Sequence, residues 1–181
     1  MKNAGIAFAF LIFAGFITTI IAMEWYPAAL IRTPQASGGR AHIIWTYYVS
    51  RVTNSTLTYY KNALVSSSST LAITPSITHD AREKSTDSII ENILIHNKIR
   101  AEGLETETEA LITKKIAAYE NQPNFTIAIA LIYGLDSSEF VELVARPEAE
   151  REILALKNNW DDAALTAWVA TEKKASRIVR F

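Results

Sequence analysis

The 181-residue chain contains no cysteine. That absence removes disulfides, thiolate metal sites and a cysteine nucleophile together, although it assigns no redox compartment. Charge is scarce over the first part of the chain. Residues 1–79 hold only six Lys, Arg, Asp or Glu side chains: Lys2, Glu24, Arg32, Arg40, Arg51 and Lys61. The net charge is -1, so no overall basic field draws nucleic acid. Glycine is sparse and shows neither a Walker nor a Rossmann pattern. The histidines are His42, His79 and His96. None is expected to pair with another histidine or a carboxylate at a ligand spacing such as i, i+4, so no metal or cofactor is implied.

What is present divides into an apolar, hydroxyl-rich first part and a charged, amphipathic second part. Asn3 to Met23 carries no charge, and Ala4–Ala22 is almost wholly apolar. A membrane span needs roughly 20 such residues. A cleavable signal has a shorter apolar core, about 7–15 residues, and a small-x-small cleavage site. Ile20-Ile21-Ala22 is a poor site of that kind. The expectation is an uncleaved signal-anchor helix over about 4–22, within an anchor of residues 1–26, with a removed signal peptide as the alternative. Trp25 and Tyr26 read as rings at the water–lipid boundary, and Lys2 holds the N-terminus inside. This predicts a single-pass membrane protein with its C-terminal domain extracytoplasmic.

Pro27, Pro34, Ser37, Gly38 and Gly39 mark a linker over residues 27–40. A helical domain is expected over 41–181. From Ala41 to Leu64 helical spacing (Ile44, Tyr48, Val52, then Leu57, Tyr60, Leu64) competes with the strand preference of Thr, Tyr and Val; the reading taken is helix. Ser66–Asp80, "SSSSTLAITPSITHD", reads as an exposed connector, and its serines have no base beside them to make a nucleophile.

From Ala81 the pattern sharpens. Ile89, Ile90, Ile93, Leu94 and Ile99 form a helical stripe. Gly103 supplies a left-handed cap with Leu104 packing back. Thr106 and Glu109 predict a capping box for a helix running to about Glu120. Glu105, Glu107 and Glu109 suit a helix N-terminus without any catalytic role. Phe125–Tyr133, "FTIAIALIY", reads as a buried helix between two amphipathic ones, and the pattern alone also admits a strand. Asp136 and Glu139 make a further capping box, with Phe140, Leu143 and Val144 facing inward. Pro147 predicts a kink or a new helix. Asn159 or Asp161 starts a last helix carrying Leu165, Trp168 and Val169. His96 reads as a partly exposed surface histidine.

Two stretches carry a family resemblance: "SIIENILIHNKIRAEGLETETEALITKKI" (Ser88–Ile116) and "LIYGLDSSEFVELVARP" (Leu131–Pro147). A hydrophobic helix, a glycine hinge and a capped acidic helix, then a glycine, a capped aromatic-bearing helix and a proline, resemble the N-terminal helical chaperone domain of SurA/PrsA-type foldases. The likeness spans roughly Ala81–Lys174. Together with the apolar N-terminal run it gives the expected fold, all-α, with an N-terminal transmembrane helix followed by a small multi-helix domain similar to the SurA N-terminal domain. It also implies a groove for unfolded or extended polypeptide. In that family a parvulin-type peptidyl-prolyl isomerase domain usually follows, whereas here "EKKASRIVRF" stands where one would only be starting. "RAHII" (Arg40–Ile44) is similar to a first parvulin strand. No Gly-Gly-x-Leu-Gly segment or second core histidine follows it, so isomerase activity is not carried over.

The function expected is a membrane-anchored, non-catalytic chaperone-like domain binding unfolded or extended polypeptide outside the cytoplasm. Trp45, Tyr48, Tyr60 and Trp168 are the candidate peptide-binding residues, with simple core packing as the competing use of these rings. No catalytic, cofactor or metal residues are assigned. The alternative is a structural or assembly subunit docking a fixed partner in an envelope complex, and an enzyme has the least support. Expected partners are polypeptide clients and, through the N-terminal helix, a membrane, with no nucleic acid.

Overall fold

A computed structural model describes residues 25–34, 38–65, 75–121 and 124–181. Strand β1, Pro27–Arg32, pairs antiparallel with β2, Ala41–Trp45, placing Leu30 opposite Ile43 and Ile31 opposite His42. Thr33 and Arg40 close the hairpin: the Thr33 N–H donates to the Arg40 carbonyl at 2.8 Å, and the Arg40 N–H donates to Thr33 Oγ1 at 2.9 Å. Gly38 and Gly39 turn the chain there with positive φ. Strand β3, Arg177–Arg180, pairs with the other side of β1, so the sheet order is β2-β1-β3. Successive strand residues point to opposite faces. Ala29, Ile31 and Ile44 accordingly share a buried face.

The rest is helical. Helix α1 is Thr46–Val65, α2 Pro75–Ala101, α3 Glu105–Glu120 and α4 Phe125–Tyr133. A single turn, α5 (Ser137–Phe140), continues as a π-helical turn, Val141–Ala145, into α6, Arg146–Asn158. Helix α7 is Asp162–Ala175. Helix α2 serves two cores. Ile89, Ile90 and Leu94 pack under the sheet with Val49, while Ile95 and Ile99 join Leu104, Leu154, Leu165 and Val169. Ile129, Leu135, Phe140 and Ala145 make a third cluster.

Local signals explain the helix ends. Gly103 has φ +70°, and the Leu104 N–H reaches back to the Ile99 carbonyl at 2.9 Å, a left-handed cap. Asp136 Oδ1 accepts from the Glu139 N–H at 2.9 Å, and Glu139 Oε2 accepts from the Asp136 N–H at 3.1 Å, completing the expected capping box. Asp161 caps α7 by accepting from the Ala164 N–H at 2.7 Å. Pro147 has no N–H for the Leu143 carbonyl. The helix widens just before it, with the Arg146 N–H donating to the Val141 carbonyl in a π-type bond.

Several expectations are corrected. The domain is mostly helical but not all-α, because Pro27–Arg32 is a strand rather than linker and Ala41–Trp45 is a strand rather than helix. There the β-branched and aromatic preference prevails, since β1 supplies a hydrogen-bonding partner. The Thr106–Glu109 box does not form: α3 already begins at Glu105, with Leu104 at the cap position. Helix α4 is a helix as read, but it is largely exposed, with Ile129 its buried residue. The expected single-pass membrane localisation is also corrected. Among the described residues no helix is long and apolar enough to cross a membrane, and the Ala4–Ala22 segment lies outside them.

Candidate functional site

A cavity of about 500 Å³ opens between the hairpin and the helices. Strand β2 forms one wall through Ile43 and Trp45. The first turn of α1 adds Tyr47 and Tyr48, α2 adds Ile89 and Ile93, and α6 adds Pro147. Trp25 leans on Trp45, with ring centroids 6.4 Å apart and planes tilted by 60°. The hairpin register sets this wall. Ile44 turns into the core and leaves its neighbours Ile43 and Trp45 half open to solvent.

Polar groups occupy the remaining side. The Glu150 carboxylate is buried on α6, and its Oε1 lies 2.7 Å from His96 Nδ1 on α2. Arg146 bridges Glu142 and Glu109, holding α6 to α3. Asn97 Nδ2 donates to His42 Nε2 at 2.9 Å, while Asn97 Oδ1 is buried without a hydrogen-bond partner among the described residues. Burial pulls the His42 imidazole below the ordinary histidine range, and repulsion from His96, Arg40 and Arg100 adds to it. A neutral His42 suits its role as acceptor. Burial raises the Tyr48 phenol, with Glu142 and Glu150 reinforcing the shift. Tyr48 therefore keeps its proton at neutral pH and presents a hydrogen-bond donor.

The lining combines apolar and aromatic faces with a few polar groups. The lining carries a His–Glu pair but no serine, threonine, cysteine or lysine that the pair could activate. Among the described residues, no group of three or more histidines and carboxylates is placed to hold a metal ion.

Of the four rings singled out from the sequence, Trp45 and Tyr48 meet in this cavity. Tyr60 lies further along α1 over separate hollows, and Tyr59 beside it stacks on Tyr133 at 5.3 Å. Trp168 is half-buried on α7 and stacks on Trp160 at 5.6 Å, beside the core of Leu154, Leu165 and Val169. Trp25, read as an interfacial ring, belongs to the cavity instead. His42, His96 and Glu150 were not read as site residues, although His96 is partly exposed as expected. His96 and Glu150 are 54 residues apart, and no local spacing joins them. His79 is also corrected: it lies in α2 with Nε2 3.8 Å from Glu83 Oε1 at i, i+4, in a highly exposed pair. No protein-family model, curated protein or solved structure matches this chain, so the functional reading rests on the cavity itself.

Proposed function

We propose that this chain is a non-catalytic, chaperone-like domain that holds unfolded or extended polypeptide in the aromatic cavity, in keeping with its resemblance to the helical domain of SurA/PrsA-type foldases. The observation that supports the reading is the lining of that open cavity by Trp25, Trp45, Tyr47 and Tyr48 over an isoleucine floor. Aromatic faces bury large areas against any apolar side chain and demand little of its shape. The Arg146 guanidinium is held by Glu142 and Glu109, and the Glu150 carboxylate is met by His96.

The test is aggregation of an unrelated, chemically unfolded protein in the presence of the full chain. Suppression is expected, and it should fall sharply with Trp45→Ala and Tyr48→Ala. Trp168→Ala should lower thermal stability and leave suppression intact at temperatures where the variant is folded. Suppression indifferent to the cavity variants would refute the reading. A prolyl isomerase assay should stay at background.

A second reading, docking of one fixed partner, is favoured by the outer face of α4. Ile127 and Leu131, one turn apart, are 58% and 68% exposed. An exposed apolar face of this kind marks a contact surface. Co-purification of one partner at fixed stoichiometry, lost with Leu131→Glu and kept with Trp45→Ala, would select it.

A further inference from the structure

The free edge of β2 borders the cavity, and its backbone is unpaired on that side. In an antiparallel ladder, alternate residues direct both N–H and C=O to the same neighbour. The Thr33 N–H donates to the Arg40 carbonyl at 2.8 Å, and the Thr46 N–H donates to the Tyr26 carbonyl at 2.9 Å. The even-numbered residues of β2 therefore face β1. Ala41 and Ile43 direct their N–H and C=O groups away from it. The other ladder agrees: the Phe181 N–H donates to the Ala28 carbonyl at 3.1 Å, so even-numbered residues of β1 face β3. Among the described residues, the outward groups of Ala41 and Ile43 have no hydrogen-bond partner.

The cavity lies on this side. It is lined by the successive β2 residues His42, Ile43, Ile44 and Trp45, and by no residue of β1 or β3. The rest of its lining comes from Trp25, α1, α2, the π-helical turn and α6, so the free edge of β2 borders this space. The two sheet edges also differ in charge. The β3 edge carries Arg177 and Arg180, and Arg180 is engaged by Asp87. Charges of that kind blunt edge pairing. The outward β2 positions, Ala41 and Ile43, carry none.

Resting on the peptide-binding reading above, we propose that the ligand is captured by strand addition: an extended peptide pairs with the outward N–H and C=O groups of Ala41 and Ile43 as a fourth strand. Alternate side chains of that strand share the face of His42 and Ile44 and enter the cavity, against Tyr48, Ile89 and Ile93. The intervening side chains share the face of Ile43 and Trp45 and lie along that more open wall of the cavity. Main-chain bonds then supply affinity without regard to sequence, and the cavity asks only for a large apolar side chain at every second position. The occupant is a peptide of low charge with alternating large apolar residues, not a folded surface.

The test uses the full chain and a fluorescein-labelled peptide, Lys-Val-Phe-Thr-Phe-Val-Lys, read by anisotropy. The phenylalanines set the register by entering the cavity. Two backbone-methylated versions are compared, one methylated at the phenylalanine nitrogens and one at the alternate nitrogens. One set faces β2 and the other faces away, so one version should bind about tenfold more weakly or worse and the other like the parent. Ile43→Pro removes one outward N–H and no bond to β1, and should weaken the parent peptide similarly. Equal binding, or equal loss, for the two methylated versions would overturn strand addition while leaving peptide capture in place. Failure of the parent peptide to bind would instead remove the reading beneath it. A dimer of the chain that Ile43→Pro abolishes and the parent peptide does not compete would assign the edge to a second copy and overturn the proposal.

Discussion

Arg51 and Glu139, 88 residues apart, are joined by a two-pronged ion pair. Arg51 Nε donates to Glu139 Oε1 at 2.6 Å, and its Nη2 donates to Oε2. The same Oε2 accepts the Asp136 N–H at 3.1 Å. One carboxylate thus closes the helix cap at α5 and fastens that turn to α1. Both side chains are about a quarter to a third exposed, so solvent screens the pair. In a double-mutant cycle of Arg51→Ala with Glu139→Ala, a coupling of about 0.5–1 kcal/mol is expected. Glu139→Ala should cost more than Arg51→Ala, because it also removes the return bond of the cap. Equal single costs in urea unfolding would show that the cap contributes nothing.

Phe140 is the centre of the third core. Its ring meets Phe125 edge-on with centroids 6.0 Å apart and lies 5.5 Å from Tyr133. Only 8% of the residue is exposed. Phe140→Ala should cost about 3–5 kcal/mol, through lost burial and the cavity left behind. Asp136→Ala should cost about 1 kcal/mol, the worth of a cap. Denaturant midpoints at an unchanged slope are the measurement. A Phe140→Ala cost below that of Asp136→Ala would mean that the cluster collapses to fill the gap.

Gly134 ends α4 with φ +65°, in the left-handed region. A Cβ there would lie 3.6 Å from the Thr58 side chain, an ordinary contact, so space is not the obstacle. The cost of Gly134→Ala is therefore conformational, about 1–2 kcal/mol. Gly134→Asn should cost less than Gly134→Ala, since asparagine tolerates this region better. The reverse order in thermal unfolding would point to a steric cause.

Acid should weaken the fold in two stages of the same sign. The His42 imidazole is lowered from 6.5 by burial, so the unfolded chain takes up that proton first. Its contribution to stability is full above about pH 6.5 and is lost as the pH falls through the lowered folded value. The Glu139 carboxyl is lowered from 4.5, chiefly by Arg51 and then by the Asp136 N–H. Its contribution is present above about pH 4.5 and is lost below, again as the pH falls through the folded value. The thermal midpoint should first decline below about pH 6.5, and His42→Asn should remove that first decline. A midpoint that rises between neutral pH and pH 5 would contradict the depressed histidine.

The parts of this fold that the sequence determined by itself are those decided within one or two helical turns. Gly103 and Gly134 end helices because only a residue free to adopt positive φ lets the chain turn back at those points. Asp136 and Asp161 begin helices because a short acceptor side chain reaches an N–H three residues ahead. The Ile89–Ile99 stripe follows from the helical period. Tertiary structure decided what depends on a distant partner. Ala41–Trp45 has both a helical spacing and a strand propensity, and it becomes a strand because β1 meets its backbone and β3, from the far end of the described chain, completes the sheet. The aromatic rings are alike in sequence. Packing alone places Trp45 and Tyr48 in the cavity, Tyr60 further along α1, and Trp168 against Trp160. The His96–Glu150 contact, too, exists only once α2 and α6 pack together, because a pair of side chains on different helices has no period to announce it.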